Sequence, residues 1–228
     1  MNTNLILDYL NELEKNNNKE WFGQHKAEYK AANEEFLSFV DALIFEIGKT
    51  DPSILHNEAK NLTFKLQRDT RFSKDKSPYN PSFRSHIGPA GKLPVPVGYY
   101  IMIIPGGQTF LGGGLFADMF KDATDQIRSY IAAHGTEWET IIHAPAFERH
   151  FKVMGSALKN VPKDYDKNHP QAEYLKNKSW FLESHIPDDL VRDSETFFNL
   201  AVEQFLAMKD FNDFLNRALK DFKMPEHP

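Results

Sequence analysis

Apolar residues recur every three or four positions over the first fifty residues of the chain, which is the spacing of amphipathic helices. Ile6, Leu10 and Leu13 follow this spacing near the N-terminus. A longer aromatic-rich stripe comes next and consists of Trp21, His25, Tyr29, Ala32, Phe36, Phe39, Leu43 and Ile47. The pattern predicts two opening helices, of which the second is long and buries the stripe.

Residues at both ends of the stripe are typical of helix ends. Asn17 and Glu20 have the spacing of a capping box, in which each side chain accepts a free backbone N–H. Gly48 stands where a left-handed residue would end the helix, and Pro52 would prevent it from resuming. We therefore expect one continuous helix from the capping box to Gly48.

The middle of the chain carries short stretches typical of strands, at 62–67, 83–87, 98–104, 108–111 and, further on, 178–185. In the first stretch apolar and polar residues alternate, whereas 98–104 is almost continuously apolar. Pro105, Gly106 and Gly107 form a turn signal, so 98–104 and 108–111 are predicted to make a hairpin. The short connections favour an antiparallel sheet.

Helical spacing returns in the second half of the chain. Ile127, Tyr130, Ile131 and His134 share one helix face, and Thr136 with Glu139 has the spacing of a second capping box. The last third repeats the helical pattern at Phe197, Ala201, Phe205 and Met208. Helices, then strands, then helices predict a single α+β domain over 1–228, with a mainly antiparallel sheet packed against N- and C-terminal helices.

Composition narrows the class of protein. Hydrophobic residues make up 41% and charged residues 26% of the 228 positions, which excludes disordered and fibrous chains. The net charge of −5 disfavours nucleic acid as a partner. Cysteine is absent, so disulfides, thiolate zinc sites and a cysteine nucleophile are excluded.

No stretch approaches 18 uninterrupted apolar residues, and the N-terminus lacks the apolar core of a signal peptide. We therefore expect a cytoplasmic protein without a membrane-spanning helix. The best metal-like set, Asp166, His169 and Glu173, does not have the spacing of a known metal motif, and no metal is predicted. The sequence indicates no particular cofactor.

Positive charge is concentrated in residues 65–84, which we call the basic segment. It contains six basic and two acidic residues, on a chain whose net charge is −5. Arginine presents paired N–H donors that match carboxylate or phosphate oxygens, and lysine adds point charges. The ligand-binding residues predicted here are Arg68, Asp69, Arg71, Ser73, Lys74, Asp75, Lys76, Tyr79, Arg84 and His86. Asp69 and Asp75 would orient the arginines or transfer protons.

The basic segment is also compatible with two other interpretations. In the first, Asp69, Asp75 and acidic residues elsewhere in the chain neutralise the basic side chains in a structural network. In the second, the segment docks onto an acidic protein partner. The sequence alone leaves all three interpretations open.

Several motifs resemble those of the domain of unknown function 2461 family. They are the run from Arg68 to Tyr79, the run from Asn16 to Phe22 with Lys26 and Tyr29, Gly98-Tyr99-Tyr100, Gly112-Gly113-Gly114-Leu115, Leu158 with Pro162, Asp166 with His169-Pro170, and Phe214-Leu215. The resemblance covers almost the whole chain. It implies a compact single domain of mostly bacterial occurrence and brings no established activity.

Together these observations predict a protein that binds an anionic small molecule, with or without catalysis on it, at an Arg/Lys-rich cleft. Phosphate- and carboxylate-bearing molecules are the expected ligands. The alternative is a non-catalytic interaction or scaffold module that uses the basic segment. The sequence specifies neither a reaction nor a protein partner.

Overall fold

The computed structural model describes residues 1–116 and 120–225. Within these ranges the helices are α1 (Thr3–Lys15), α2 (Lys19–Gln24), α3 (Lys26–Gly48), α4 (Ala59–Leu62), α5 (Lys121–Ala133), α6 (Gly135–Ile142), α7 (Pro145–His150), α8 (Ala172–Leu175), α9 (Asp188–Arg192), α10 (Ser194–Ala207) and α11 (Lys209–Ala218). The strands are β1 (Phe83–Ile87), β2 (Tyr99–Ile103), β3 (Thr109–Leu115) and β4 (Trp180–Ile186). A 3₁₀ turn at Pro52–Ile54 follows α3. No helix in these ranges combines the length and the apolar character that crossing a membrane requires.

The four strands form one antiparallel sheet in the order β1-β2-β3-β4. The predicted hairpin is confirmed as the β2–β3 pair, and the predicted C-terminal strand is confirmed as β4. The α+β fold class and the packing against terminal helices are confirmed as well. Consecutive strand order places β4 beside β3 although four helices separate them in the chain.

One face of the sheet is covered by helices and forms the core. Tyr99, Ile101 and Ile103 of β2 are buried there, and the Tyr99 ring lies 5.4 Å from that of Phe205 in α10. On β1, Phe83 stacks on Phe36 of α3 at 5.3 Å between ring centroids. Because side chains alternate along a strand, the residues between these point to the opposite face. That second face has no helix layer within the described residues, and we call it the open face.

The long helix predicted from the N-terminal stripe is broken at His25, where α2 ends and α3 begins. The predicted capping box is wrong by one residue, because Asn18 rather than Asn17 accepts the backbone N–H of Trp21, at 2.9 Å. Asn17 instead holds the backbone of Tyr79, as described below. Gly48 ends α3 without a positive φ, and a Cβ there would lie 2.1 Å from Leu55 Cδ2.

Two further local predictions are wrong. Residues 62–67 do not form a regular strand, since α4 ends at Leu62 and only isolated bridges at Thr63 and Gln67 follow. The capping box at Thr136 is absent because α6 already begins at Gly135, after His134. In the first case the extended chain pairs with 78–85 without joining the sheet as a named strand.

Candidate functional site on the open face of the sheet

Side chains of the open face fall into rows across the four strands. His86 pairs with Tyr100, Tyr100 with Gly112, and Gly112 with Glu183. The adjoining row consists of Arg84, Met102, Phe110 and His185. Polar and aromatic residues from four separate stretches of sequence are therefore brought together on one surface.

A cavity of about 340 Å³ lies over these rows, and we call it the sheet-face cavity. It is lined by Phe64, His86, Lys92, Pro94, Tyr100, Phe110, Gly114, Phe116 and Glu183. The Tyr100 ring centroid lies 5.6 Å from that of Phe110 and 5.9 Å from that of Phe116, so aromatic rings form much of the wall. The volume falls at the lower end of the range for small-molecule sites, about 300–1,000 Å³.

Gly112 allows the Phe116 ring to lie back over the sheet. A Cβ at Gly112 would be 3.2 Å from Phe116 Cζ and 2.4 Å from the carbonyl oxygen of Leu182. Without that atom, Phe116 stacks on Phe181 with 4.7 Å between ring centroids. The ring is 39% exposed and forms one wall of the cavity.

His86 places a buried, neutral imidazole in the cavity. Its side chain is 8% exposed, and its Nδ1 atom has no hydrogen-bond partner in the described part of the chain. Burial lowers the pKa of His86 from about 6.5 to about 4, although the Gly91 carbonyl favours the protonated ring. The imidazole is therefore uncharged at neutral pH.

Arg84 lies two residues before His86 on β1 and on the same face of the sheet. Its guanidinium carbon lies 5.5 Å from the centroid of the Phe64 ring, and its buried Nε atom has no hydrogen-bond partner among the described residues. Burial raises the pKa of the Tyr100 hydroxyl, and the nearby Arg84 guanidinium opposes that rise. No carboxylate in the described ranges forms an ion pair with Arg84.

A second cation and one carboxylate complete the charges of the cavity. The Lys92 ammonium donates to the carbonyl of Thr63 at 3.2 Å and lies 5.8 Å from the Phe64 ring centroid. Glu183 lies 3.6 Å from Nε2 of His185. Lys92 thus contributes a positive and Glu183 a negative charge to the cavity lining, and the contact of Glu183 with His185 is an ion pair only when that imidazole is protonated. Arg84, in the adjoining row, adds a positive charge without a carboxylate partner among the described residues. Such a site can hold an anionic group beside an apolar body.

The basic segment folds as two antiparallel arms joined by a tip. The backbone N–H of Phe64 donates to Arg84, that of Asn80 to Leu66 and that of Arg68 to Pro78, at 3.0, 2.7 and 2.9 Å. These bonds tie 64–68 to 78–84 and leave residues 69–77 as a projecting loop, which we call the loop tip. The arms bring the loop tip close to Arg68 and leave Arg84 and His86 on β1.

Carboxylates of the loop tip form ion pairs with Arg68, at the base of the tip, and with Arg71, within it. The Arg68 guanidinium pairs with Asp75 and also donates to the Ser77 carbonyl and the Ser73 hydroxyl. Arg71 forms a bidentate ion pair with Asp69, in which Nη2 lies 2.6 Å from Oδ2 and Nε lies 3.0 Å from Oδ1.

The partners of Asp75 and Asp69 favour their ionised forms. The backbone N–H of Ser77 and then the Arg68 guanidinium hold the pKa of Asp75 well below its usual range. The pKa of Asp69 is lowered by its hydrogen bonds to Arg71. Both acids are therefore paired with the arginines inside the basic segment itself.

The remaining predicted residues are divided between the loop tip and a separate groove. Lys76 donates to the carbonyl of Thr70 at 3.0 Å, and Lys74 has no partner among residues 1–116 and 120–225. Tyr79 faces α2 and α3, where its ring stacks on Phe22 at 4.2 Å. Of the ten predicted site residues, only His86 lines the sheet-face cavity, and Arg84 lies in the adjoining row of the open face.

Sequence reasoning missed Lys92, Tyr100, Phe110, Phe116 and Glu183 as cavity residues. On β2, Tyr100 and Met102 are half-buried and alternate with fully buried residues. Because all five residues of this strand are apolar or aromatic, the sequence shows no polar–apolar alternation that would mark the open face. The position of Glu183 depends on strand pairing between distant segments, which no local pattern indicates. Within the described ranges, no group of three or more His, Asp or Glu side chains is placed to hold a metal ion.

The fold and the cavity together define an α+β protein with an aromatic pocket on the uncovered face of an antiparallel sheet, lined by one lysine and one glutamate and flanked by Arg84. The family model described as conserved hypothetical protein (DUF2461) matches residues 5–214. The match spans most of the 228 residues, so the chain belongs to this family, as its motifs predicted. No curated protein and no solved structure matches the chain.

Proposed function

We propose that the protein binds a small organic anion with a flat apolar body in the sheet-face cavity. The observation that carries this proposal is the pair of buried nitrogens, Arg84 Nε and His86 Nδ1, that lack hydrogen-bond partners in the described part of the chain. A buried polar group without a partner costs about 1–3 kcal/mol, and a ligand recovers that cost if its binding moves the two side chains enough to reach these nitrogens. Both residues lie on the open face, His86 in the cavity lining and Arg84 in the adjoining row.

The chemistry of the wall defines the ligand class. A guanidinium prefers a carboxylate or phosphate, and Lys92 adds a second positive charge at the cavity. Phe64, Phe110 and Phe116 offer surfaces for a planar body, such as an aromatic or conjugated ring. A neutral imidazole at His86 accepts or donates one hydrogen bond without adding charge. An aromatic carboxylate satisfies all three features.

The proposal keeps the anionic ligand expected from the sequence but places the centre of the binding site at different residues. Arg68 and Arg71 are each held by a carboxylate of the loop tip, whereas Arg84 has no such partner among the described residues. The free energy available for binding an anion is larger where no protein carboxylate must be displaced. Arg84 and His86 therefore replace Arg68 and Arg71 as the centre of the site.

The test compares 2-naphthoate with its neutral amide by isothermal titration calorimetry. We expect the acid to bind about tenfold or more tightly than the amide, because a hydrogen bond to a charged group contributes about 1.5–3 kcal/mol. Arg84→Gln should remove that preference, and Arg84→Lys should restore part of it. Lys159→Gln is the matched control, since Lys159 is exposed and lies outside the cavity lining. Equal affinity for the acid and the amide in the unaltered protein would refute the proposal.

A second candidate function is docking of the loop tip onto an acidic protein surface. Phe72 is 96% exposed at the tip, and the Arg71 guanidinium lies 5.8 Å from its ring centroid. An exposed aromatic flanked by positive charge is typical of an interface anchor. If this function holds, Phe72→Ser with Lys74→Glu abolishes binding of a labelled Glu-rich peptide and leaves 2-naphthoate binding intact. Arg84→Gln should instead weaken 2-naphthoate binding and leave binding of the Glu-rich peptide intact.

A further inference from the structure

A second concave site lies on the other side of the basic segment, between α2, the start of α3 and the arm at 65–67. Its volume is about 650 Å³, and it is lined by Lys19, Phe22, Gly23, Lys26, Tyr29, Lys65, Leu66, Gln67 and Tyr79. We call it the lysine groove. Asn17 fixes one wall, because its side chain donates to the Tyr79 carbonyl at 2.9 Å and accepts the Tyr79 N–H at 3.1 Å.

Three lysines surround the groove without neutralisation. Lys19, Lys26 and Lys65 form no ion pair and no side-chain hydrogen bond in the part of the chain that the structure describes. The residues that line the groove include no carboxylate. Elsewhere many lysines of this chain pair with an acid three or four residues away, as Lys15 does with Glu12. The residues that line the groove therefore carry three positive charges and no negative one.

Tyr29 and Tyr79 line the groove, and Tyr9 packs against Tyr29. Tyr9 is 5% exposed, and its hydroxyl oxygen is buried without a hydrogen-bond partner among the described residues. Burial raises the pKa of Tyr9, and the neighbouring Tyr29, Tyr79 and Glu28 raise it further, in that order. The Tyr9 and Tyr29 ring centroids are 5.9 Å apart. Tyr29 and Tyr79 therefore give the groove phenol O–H groups, which are donors for the oxygens of an anion.

We propose that the lysine groove is a second binding site, specific for phosphate monoesters that carry an aromatic group. A phosphate monoester has two negative charges above pH 7 and three acceptor oxygens, which match several ammonium groups and phenol donors. The stacked rings of Phe22 and Tyr79 lie in the wall and provide a surface for the aromatic group. This ligand differs from the one proposed for the sheet-face cavity in both charge and shape.

The two sites are separate because the extended arm lies between them. Phe64 lines the sheet-face cavity, and the next residue, Lys65, lines the lysine groove. Successive side chains of an extended chain point to opposite sides. A variant at Arg84 therefore perturbs one site, and a variant at Lys26 or Lys65 perturbs the other. The failure of either proposal can be recognised independently.

The experiment measures binding of phenyl phosphate and inorganic phosphate by calorimetry at low ionic strength. We expect phenyl phosphate to bind more tightly than inorganic phosphate, and both to weaken as NaCl is added, since salt screens the lysines. Lys26→Met with Lys65→Met should weaken phenyl phosphate by about tenfold or more, because charge-assisted hydrogen bonds to two ammonium groups are lost. The matched control, Lys159→Met with Lys163→Met, removes the same charge from an exposed segment and should change the affinity less than about twofold.

Tyr29→Phe tests a phenol donor of the groove separately. We expect this variant to weaken phenyl phosphate, because the hydrogen bond from the hydroxyl to the phosphate is lost, while the thermal midpoint changes little. Arg84→Gln should leave phenyl phosphate binding unchanged. The proposal is overturned if the Lys26/Lys65 variant binds phenyl phosphate as tightly as the unaltered protein. It is also overturned if the control pair causes an equal loss, or if only Arg84→Gln abolishes binding.

Discussion

Lowering the pH from 7 to 4.5 should destabilise this protein in part through His86. Its side chain is 8% exposed, and burial lowers its pKa from about 6.5 to about 4. Between these two pH values the unfolded chain carries a proton on His86 that the folded protein does not carry. Stability rises with pH wherever the unfolded state binds more protons, so this contribution is present above pH 6.5 and is lost as the pH falls to about 4.

The size of the effect follows from the difference between the two pKa values. One pKa unit corresponds to about 1.36 kcal/mol, so the limit for His86 is about 3 kcal/mol. At pH 4.5 most of that limit is reached, because the folded protein is still largely unprotonated at this residue. For a domain whose free energy of unfolding is of order 5–15 kcal/mol, this is a large fraction.

Urea unfolding of the unaltered protein and of His86→Gln, each at pH 7 and pH 4.5, measures this contribution. Glutamine keeps a neutral polar group but takes no proton. Carboxylates that titrate in the same range are common to both proteins, so the difference between the two pH effects isolates His86. We expect the unaltered protein to lose about 2–3 kcal/mol more than the variant on acidification.

His143 provides a control of opposite sign. Hydrogen bonding to Glu148 raises the pKa of this exposed imidazole, so its protonated form stabilises the folded state and that contribution is lost as the pH rises. His143→Gln should therefore not reduce the acid sensitivity. If His86→Gln and the unaltered protein lose equal stability between pH 7 and 4.5, His86 is not held as a neutral, buried imidazole in the folded protein. The proposed ligand site then loses one of its two central groups.

Three substitutions test other parts of the structure by urea or thermal unfolding. Asn17→Ala should lower the free energy of unfolding by about 1–2 kcal/mol, because both hydrogen bonds to the Tyr79 backbone are lost. A change near zero would show that these two bonds do not stabilise the fold. Tyr99→Phe should cost about 1–3 kcal/mol, since its hydroxyl donates to Asp51 at 2.8 Å in the core, and an unchanged midpoint would show that this bond contributes little. Phe72→Ser should change the free energy of unfolding by less than about 0.5 kcal/mol, and a larger loss would mean that the 96%-exposed ring packs against the protein.

Elements that depend on local pattern could be predicted from the sequence. The turn at 105–107 places β2 and β3 in a hairpin, and Gly106 and Gly107 have φ values of +82° and +71°. The stripe of α3 was predicted because its buried positions follow helical spacing. The break at His25 was missed for a physical reason. The His25 ring stacks on Trp21 at 4.1 Å, so the aromatic stripe continues across a break of one residue.

The candidate site depends on contacts that local pattern does not specify. Charge density identified the basic segment, but pairing between Arg68 and Asp75 and between Arg71 and Asp69 is a matter of loop geometry. The cavity requires β4 to lie next to β3 in one register, which places Glu183 opposite Gly112. Register between segments so far apart in sequence is set by the packing of the whole sheet on its helices.

The arm at 64–68 decides whether the two proposed sites influence each other. Phe64 and Lys65 are neighbours that face different sites, so a movement of this arm would alter both. Its backbone is fixed to Arg84 and Asn80 by hydrogen bonds of 3.0 and 2.7 Å. A ligand couples two sites only if it favours a different arrangement of the element between them. Because these bonds hold the arm in one arrangement, we expect phenyl phosphate to bind with the same affinity whether or not 2-naphthoate is saturating. A change in that affinity would show that the arm moves when a ligand binds.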